Sequence, residues 1–154
     1  MICLSDLLDK KRIIKVEASD KYGALEQMVK VMAKSPAVGK KDELIKAIWD
    51  RERVMSTGMG LGIAVPHAKI ASVKDFVLAV GVCKEPIDFQ AFDNEPVKII
   101  VMIAGPDGHQ DCYLKILARC AMILKNEENR KKILETNNPK EVIKLFDINI
   151  NGTH

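Results

Sequence analysis

Ser56-Thr57-Gly58-Met59-Gly60-Leu61-Gly62-Ile63-Ala64-Val65-Pro66-His67 passes from a glycine-rich run into a short apolar strand and ends on an imidazole, with Arg51 sixteen residues before that histidine. Three glycines two apart let the backbone approach a ligand closely, and the hydroxyls of Ser56 and Thr57 offer donors beside them. Ile63 and Val65 alternate with Ala64 and Pro66, so His67 should share the face of Ile63 and Val65, at a sheet rim where Pro66 ends pairing. Rims of α/β sheets are where ligands sit. An imidazole presented in this way can accept and release a phosphoryl group.

Outward from that stretch, the pattern alternates between helix and strand. Ala24, Leu25, Met28, Val29, Met32 and Ala33 form one stripe of an amphipathic helix over residues 23–34, which Ser35-Pro36 ends. A second helix should start with Asp42 as N-cap and run to about Arg53 with Leu44, Ile45, Ile48 and Trp49 inward. Ile13–Val16, Ile63–Val65, Phe76–Cys83 and Val97–Ala104 read as strands, and their continuous apolar character points to a sheet covered on both faces. Gly105-Pro106-Asp107-Gly108 is a turn into a helix from Gln110 to Lys125, where only Lys115 and Arg119 break the apolar surface of residues 112–124, so that helix should be mostly buried. Helices over Glu127–Glu135 and Pro139–Phe146 follow, the latter with proline in its first turn. The order predicts an α/β fold, a mixed β-sheet flanked by helices on both faces, in a single domain over residues 1–148 with 149–154 as a frayed tail.

Composition agrees with that reading and excludes several classes. The 154 residues are enough for one core without metal or disulfide support, and 29% charged with 47% hydrophobic residues describes an ordinary globular chain. The apolar stretches are too short to span a bilayer as helices, and the N-terminus lacks the basic segment and apolar core of a signal peptide, so a cytoplasmic protein is expected. Cys3, Cys83, Cys112 and Cys120 form no C-x-x-C pair; on one helix Cys112 and Cys120 would stand roughly 12 Å apart, so free thiols are expected. A net charge of +3 and short basic clusters without interleaved aromatics argue against nucleic-acid binding. The three histidines, His67, His109 and His154, lack metal-ligand spacing, so neither metal nor other cofactor is expected.

Each site residue has a plain reading beside the functional one. The glycine run precedes its strand and lacks the features of a dinucleotide fingerprint or a P-loop, so it is a tight helix-to-strand connection, an anion cradle built from N–H groups such as those of Gly58 and Gly60, or both. Arg51 borders the inward stripe near a helix C-terminus; it either caps carbonyls there or reaches inward with a planar fork suited to phosphate oxygens. Met59, Leu61 and Ile70 are either an exposed apolar docking surface or residues folded over the core.

Arg51-Glu52 together with Ser56-Thr57-Gly58-x-Gly60-x-Gly62-Ile63-Ala64-Val65-Pro66-His67-Ala68 closely resembles the signature of the IIA component of the bacterial phosphoenolpyruvate-dependent phosphotransferase system, mannitol/fructose class, which includes the nitrogen-regulatory IIA-like proteins. Pro86-Ile87-Asp88-Phe89 with Asp93 and Pro96-Val97, and Leu114-x-x-Leu117-Ala118, extend the likeness over nearly the whole chain. The resemblance implies that His67 accepts a phosphoryl group from an HPr-type phosphocarrier and passes it to a IIB component in sugar uptake, touching the membrane only indirectly through a IIC transporter. It implies too that Arg51 steadies the phosphoryl oxygens. A regulatory protein partner whose binding depends on His67 phosphorylation is the alternative. Members of that family usually carry a second active-site histidine directly before the leucine that opens the late helix, and Tyr113 stands at that position. Tyr113 can donate from its phenol, and His109 either takes over the missing contact or is a plain loop residue.

Overall fold

β6 (Val97–Gly105) is buried along nearly its whole length because, past Lys98, its run from Ile99 to Ala104 offers no polar side chain to either face. In the computed structural model, which describes residues 2–151, it is the strand around which a six-stranded mixed sheet is built. β5 (Val77–Ile87) pairs antiparallel with it on one side and carries β1 (Ile13–Val16) in parallel as the outer strand. On the other side lie β3 (Ile63–Ala64) and β4 (His67–Lys69), both parallel to β6, with β2 (Gly58–Gly60) antiparallel to β3.

Helices cover both faces, which is why the strands are apolar throughout rather than alternating. α1 (Lys21–Met32) and α2 (Lys41–Val54) lie on one face, where Leu25, Met28, Leu44 and Ile48 pack with Ala64, Ala79, Ile100 and Met102. α3 (Gln110–Lys125), α4 (Glu127–Glu135) and α5 (Pro139–Leu145) cover the other, where Ile116, Cys120, Ile123 and Phe146 meet Ile63, Leu78, Val80, Ile99 and Val101. The fold is the α/β single-domain arrangement that the pattern predicts.

The differences lie at element ends. α1 starts earlier than expected because Asp20, which accepts from the Gly23 N–H, is its N-cap. α2 has Lys40 at that position with no side-chain cap, and Asp42 sits in the first turn instead. β5 runs on to Ile87 across a register shift. The chain does not fray at Asn149: that residue bridges Cys3, and Ile150, 4% exposed, donates its N–H to the Ile2 carbonyl. Residues 152–154 of the expected tail, His154 among them, lie outside the described residues. The four cysteines are free thiols, Cys83 and Cys120 buried.

Pro66 does not end pairing. Ile63 and Ala64 lie opposite Ile99 and Ile100, and His67 opposite Ile103, so β3 and β4 keep one register along β6 and form a single strand interrupted at Val65-Pro66. Proline cannot donate to the ladder, yet its carbonyl still accepts from the Ile103 N–H at 3.0 Å. The interruption costs one hydrogen bond and lets the strand continue to Lys69.

Candidate functional site

The His67 ring has an unusual partner on its own strand, because the Thr57 N–H that would pair with the Val65 carbonyl goes to Glu52 instead. The Val65 N–H is taken by the Thr57 carbonyl, whereas the Val65 carbonyl accepts from the His67 ring, Nδ1 to O 2.7 Å. A carbonyl accepts only, so Nδ1 carries the proton and Nε2 keeps its lone pair. Burial pushes the ring's pKa below its ordinary value; the Val65 hydrogen bond and Glu52 oppose this and Arg51 adds to it. The site therefore holds a neutral imidazole with a defined nucleophilic nitrogen.

That ring lines an open depression of about 410 Å³ whose wall includes Arg51, Ser56, Gly58, Leu114 and Leu117. Arg51 Nη1 donates to the Met55 carbonyl at 2.9 Å, at the C-terminal end of α2, and its side chain lines the depression beside His67. Another hollow, about 110 Å³ between β1 and the turn into α5, holds neither histidine nor arginine.

The Ser56 and Thr57 hydroxyls, expected to be donors toward a ligand, are engaged within the protein. Ser56 Oγ donates to the Phe89 carbonyl and accepts from the Gly58 N–H. Thr57 gives both its N–H and its hydroxyl to Glu52, and the buried Glu52 carboxylate in turn pairs with Lys21 at 3.2 Å. Gly60, Leu61 and Gly62 make the bend of the β2–β3 hairpin with φ of 80°, 61° and 77°, and a side chain at Gly60 would press on Phe92. Gly60 is thus a turn residue, and Gly58 reaches the depression through its backbone. Sequence reading missed the Lys21–Glu52 pair; only the position of Glu52 between Arg51 and a run of turn residues hinted at it.

Tyr113 and His109 separate clearly. Tyr113, buried, sets its ring edge-on to His67 with centroids 5.8 Å apart. Burial pushes its phenol up to about 12 although Arg51 pulls the other way, so near neutrality the hydroxyl remains a donor. His109 is exposed at the start of α3, stacked edge-on against Phe76, which in turn stacks on Tyr113; two rings stand between it and His67. It borders a different hollow, with Gln110 and Asp111. Lys69, unmarked in the sequence reading, lies over the Tyr113 ring and bonds Gln110. Strand alternation from His67 was the signal that would have found it.

The apolar surface around the depression differs from expectation. α3 is not mostly buried: Leu114 is 51% and Met122 44% exposed, with Ala118 between them on one face. Met59 and Ile70 are partly buried against the two cores, Leu61 is exposed at the hairpin tip, and Met55 is exposed beside Arg51. No helix among the described residues is long and apolar enough to cross a membrane, and none of their histidine, cysteine and carboxylate groups cluster in threes as a metal site would require.

The chain belongs to a known class of proteins. Residues 6–148 match the family described as phosphoenolpyruvate-dependent sugar phosphotransferase system, EIIA 2, and the chain is a member of it. It is 34% identical over 145 residues to a fructose-specific EIIABC component of Bacillus subtilis (strain 168), covering 94% of this chain but only 23% of that longer protein. It is 32% identical over 148 residues to a mannitol-specific phosphotransferase enzyme IIA component of Staphylococcus aureus (strain Mu50), covering 94% and 97% of the two chains. The fold is similar to that of the nitrogen regulatory protein IIA-Ntr from Neisseria meningitidis, with a TM-score of 0.86 at 24% identity over 92% of this chain and 97% of that one.

Proposed function

We propose that this protein is a phosphohistidine carrier: His67 accepts a phosphoryl group from an HPr-type phosphocarrier and passes it to a IIB component in phosphoenolpyruvate-dependent sugar uptake. The observation that carries this reading is the His67 Nδ1 contact with the Val65 carbonyl, which leaves Nε2 as the nucleophile in a depression it shares with Arg51. In the step, the Nε2 lone pair attacks phosphorus in line. The donor's P–N bond breaks as the new one forms, and its electron pair returns to the donor's ring nitrogen. Nδ1 keeps its proton throughout, so the Val65 carbonyl stabilises the positive charge the ring acquires and the group can leave again toward a IIB acceptor.

Arg51 binds the equatorial oxygens through the part of its fork not used on Met55, and the Tyr113 phenol donates a further hydrogen bond. Lys21, Glu52 and Thr57 hold the 55–58 loop beneath them. The exposed apolar face of Leu114, Ala118 and Met122, with exposed Met55 near Arg51, gives both partners a surface on which two imidazoles can meet. The names of the relatives, fructose- and mannitol-specific, support a role in sugar uptake.

A specific observation favours a second reading. Tyr113 occupies the position where the resemblance leads one to expect a histidine, and a phenol raised to about 12 donates but does not exchange protons near neutrality. Phosphorylation adds roughly two negative charges to the depression, enough to switch a docking surface, and the protein would then be a nitrogen-regulatory-type reporter.

Incubation with phosphoenolpyruvate, enzyme I and HPr, followed by intact mass measurement, tests both. An acid-labile phosphate lost in His67→Ala is expected; its absence from the wild type rejects both readings. Onward transfer to a IIB protein selects the carrier, and phosphorylation-dependent binding to a non-transport protein selects the reporter.

A further inference from the structure

We infer that Lys69 is a second phosphoryl-binding cation, parked on Tyr113 and Gln110 while His67 is unmodified and drawn across when the ring carries its phosphoryl group. The inference rests on the phosphohistidine reading of His67 and adds to it a residue two positions further along the same strand.

His67 and Lys69 are the two ends of β4, so their side chains leave the same face about 7 Å apart along the strand. Both lie against one ring: the His67 imidazole meets the Tyr113 edge, and Lys69 Nζ lies 5.0 Å from the Tyr113 centroid. The ammonium's other partner is the Gln110 side-chain oxygen. Neither partner is anionic. An ammonium held by a ring face and a neutral amide exchanges those contacts readily for a charge-assisted one. A phosphoryl group on Nε2 creates such an acceptor within the span of a lysine side chain. Tyr113 has a part in this that a histidine would not play so well: a neutral ring face holds the cation beside the site without repelling it.

The test is the equilibrium of phosphoryl transfer between phosphorylated HPr and the full-length protein, read by intact mass at several mixing ratios. Lys69→Gln is expected to shift the equilibrium toward HPr by roughly three- to tenfold, the range for one partly solvated charge-assisted contact, while Lys69→Arg stays within about twofold of wild type. Gln110→Ala frees the ammonium in the unmodified protein, so its equilibrium should equal or exceed that of wild type. An unchanged equilibrium in Lys69→Gln overturns the inference, including the case in which only the transfer rate falls, which assigns the charge to partner docking. A loss in Gln110→Ala as large as that in Lys69→Gln also overturns it, because the pair is then a strut between β4 and α3. If wild-type His67 takes no phosphate at all, the parent reading fails and this one with it.

Discussion

The His67 ring turns back onto its own strand and donates from Nδ1 to the Val65 carbonyl 2.7 Å away. That carbonyl is available because Thr57, opposite Val65, accepts from the Val65 N–H but gives its own N–H to Glu52. The buried Glu52 carboxylate, by holding the Thr57 N–H, thereby chooses which nitrogen of the site histidine is the nucleophile.

The tautomer is directly observable. In ¹⁵N-labelled protein, long-range proton–nitrogen correlations should show a protonated Nδ1 on His67 in the unmodified state and phosphorus bound to Nε2 after transfer. A proton on Nε2 in the free protein would contradict the assignment. So would a phosphoryl group on Nδ1.

The pH dependence follows from the direction of the shift. Burial holds the His67 pKa below the ordinary 6.5, so between the two values the unfolded chain binds more protons than the folded one. The stability this group contributes is complete above about 6.5 and is lost as pH falls through the lower folded value. Phosphoryl acceptance should likewise stay level as pH drops past 6.5 and decline only below the folded value. Arg51→Ala removes a charge that depresses this pKa, so the His67 midpoint should rise in an imidazole proton titration; an unchanged or lower midpoint would show that Arg51 does not act on the ring.

Arg51→Lys separates charge from shape. Arg51 spends Nη1 on the Met55 carbonyl and has other donors left in its planar fork, whereas a lysine ammonium is a compact point charge without a fork that presents parallel N–H bonds to phosphoryl oxygens. Labelling of His67 should slow by about tenfold in the lysine variant, one charge-assisted contact's worth. Rates equal to wild type would remove the guanidinium from the step.

The fold was legible where periodicity was strong and boundaries were marked. α3 over Gln110–Lys125 and α4 over Glu127–Glu135 fall where the pattern put them, because a turn precedes the first and Asn126 caps the second. β4 and β2 were not legible, for opposite reasons. Pro66 looked like a stop, though a proline in a strand costs only one ladder bond; Gly58 and Gly60 lack the side chains by which strands are recognised. At the site, His67 and Arg51 were visible as a spaced pair. The burial of Lys21 against Glu52 was not, since tertiary pairing between charged residues on two helices leaves no periodic trace. The exposed stripe on α3 was misread because apolar periodicity reports which face is apolar and not whether a neighbour covers it.

The buried network behind the loop should be strongly coupled. Glu52→Ala leaves Lys21 buried without its counter-charge and orphans the Thr57 N–H and hydroxyl, so chemical denaturation should register a loss of roughly 3–5 kcal/mol. Thr57→Val removes only the hydroxyl and should cost about 1–2 kcal/mol. The double change Lys21→Met, Glu52→Gln should cost clearly less than the sum of its parts, because neither side is then left as an unpaired ion. Simple additivity would mean that the pair is solvated and does not hold the loop.

Gly105 connects the end of β6 to the ring stack beside His67. A Cβ built there would overlap Cε1 and Cδ1 of Phe76, and Phe76 stacks on Tyr113 with centroids 6.4 Å apart. Phe76 is only half-buried, so it can give way, and the cost to stability of Gly105→Ala should be moderate, about 1–3 kcal/mol. The displaced ring must push on Tyr113, whose edge meets the imidazole. Gly105→Ala should therefore slow phosphoryl transfer to His67 and shift its imidazole resonances. Adding Phe76→Leu, which removes the obstructing ring, should recover much of the rate. Slow transfer that persists in the double variant would mean that Gly105 acts through the backbone of β4, where it lies opposite Lys69, and that the ring stack has no part in holding the histidine.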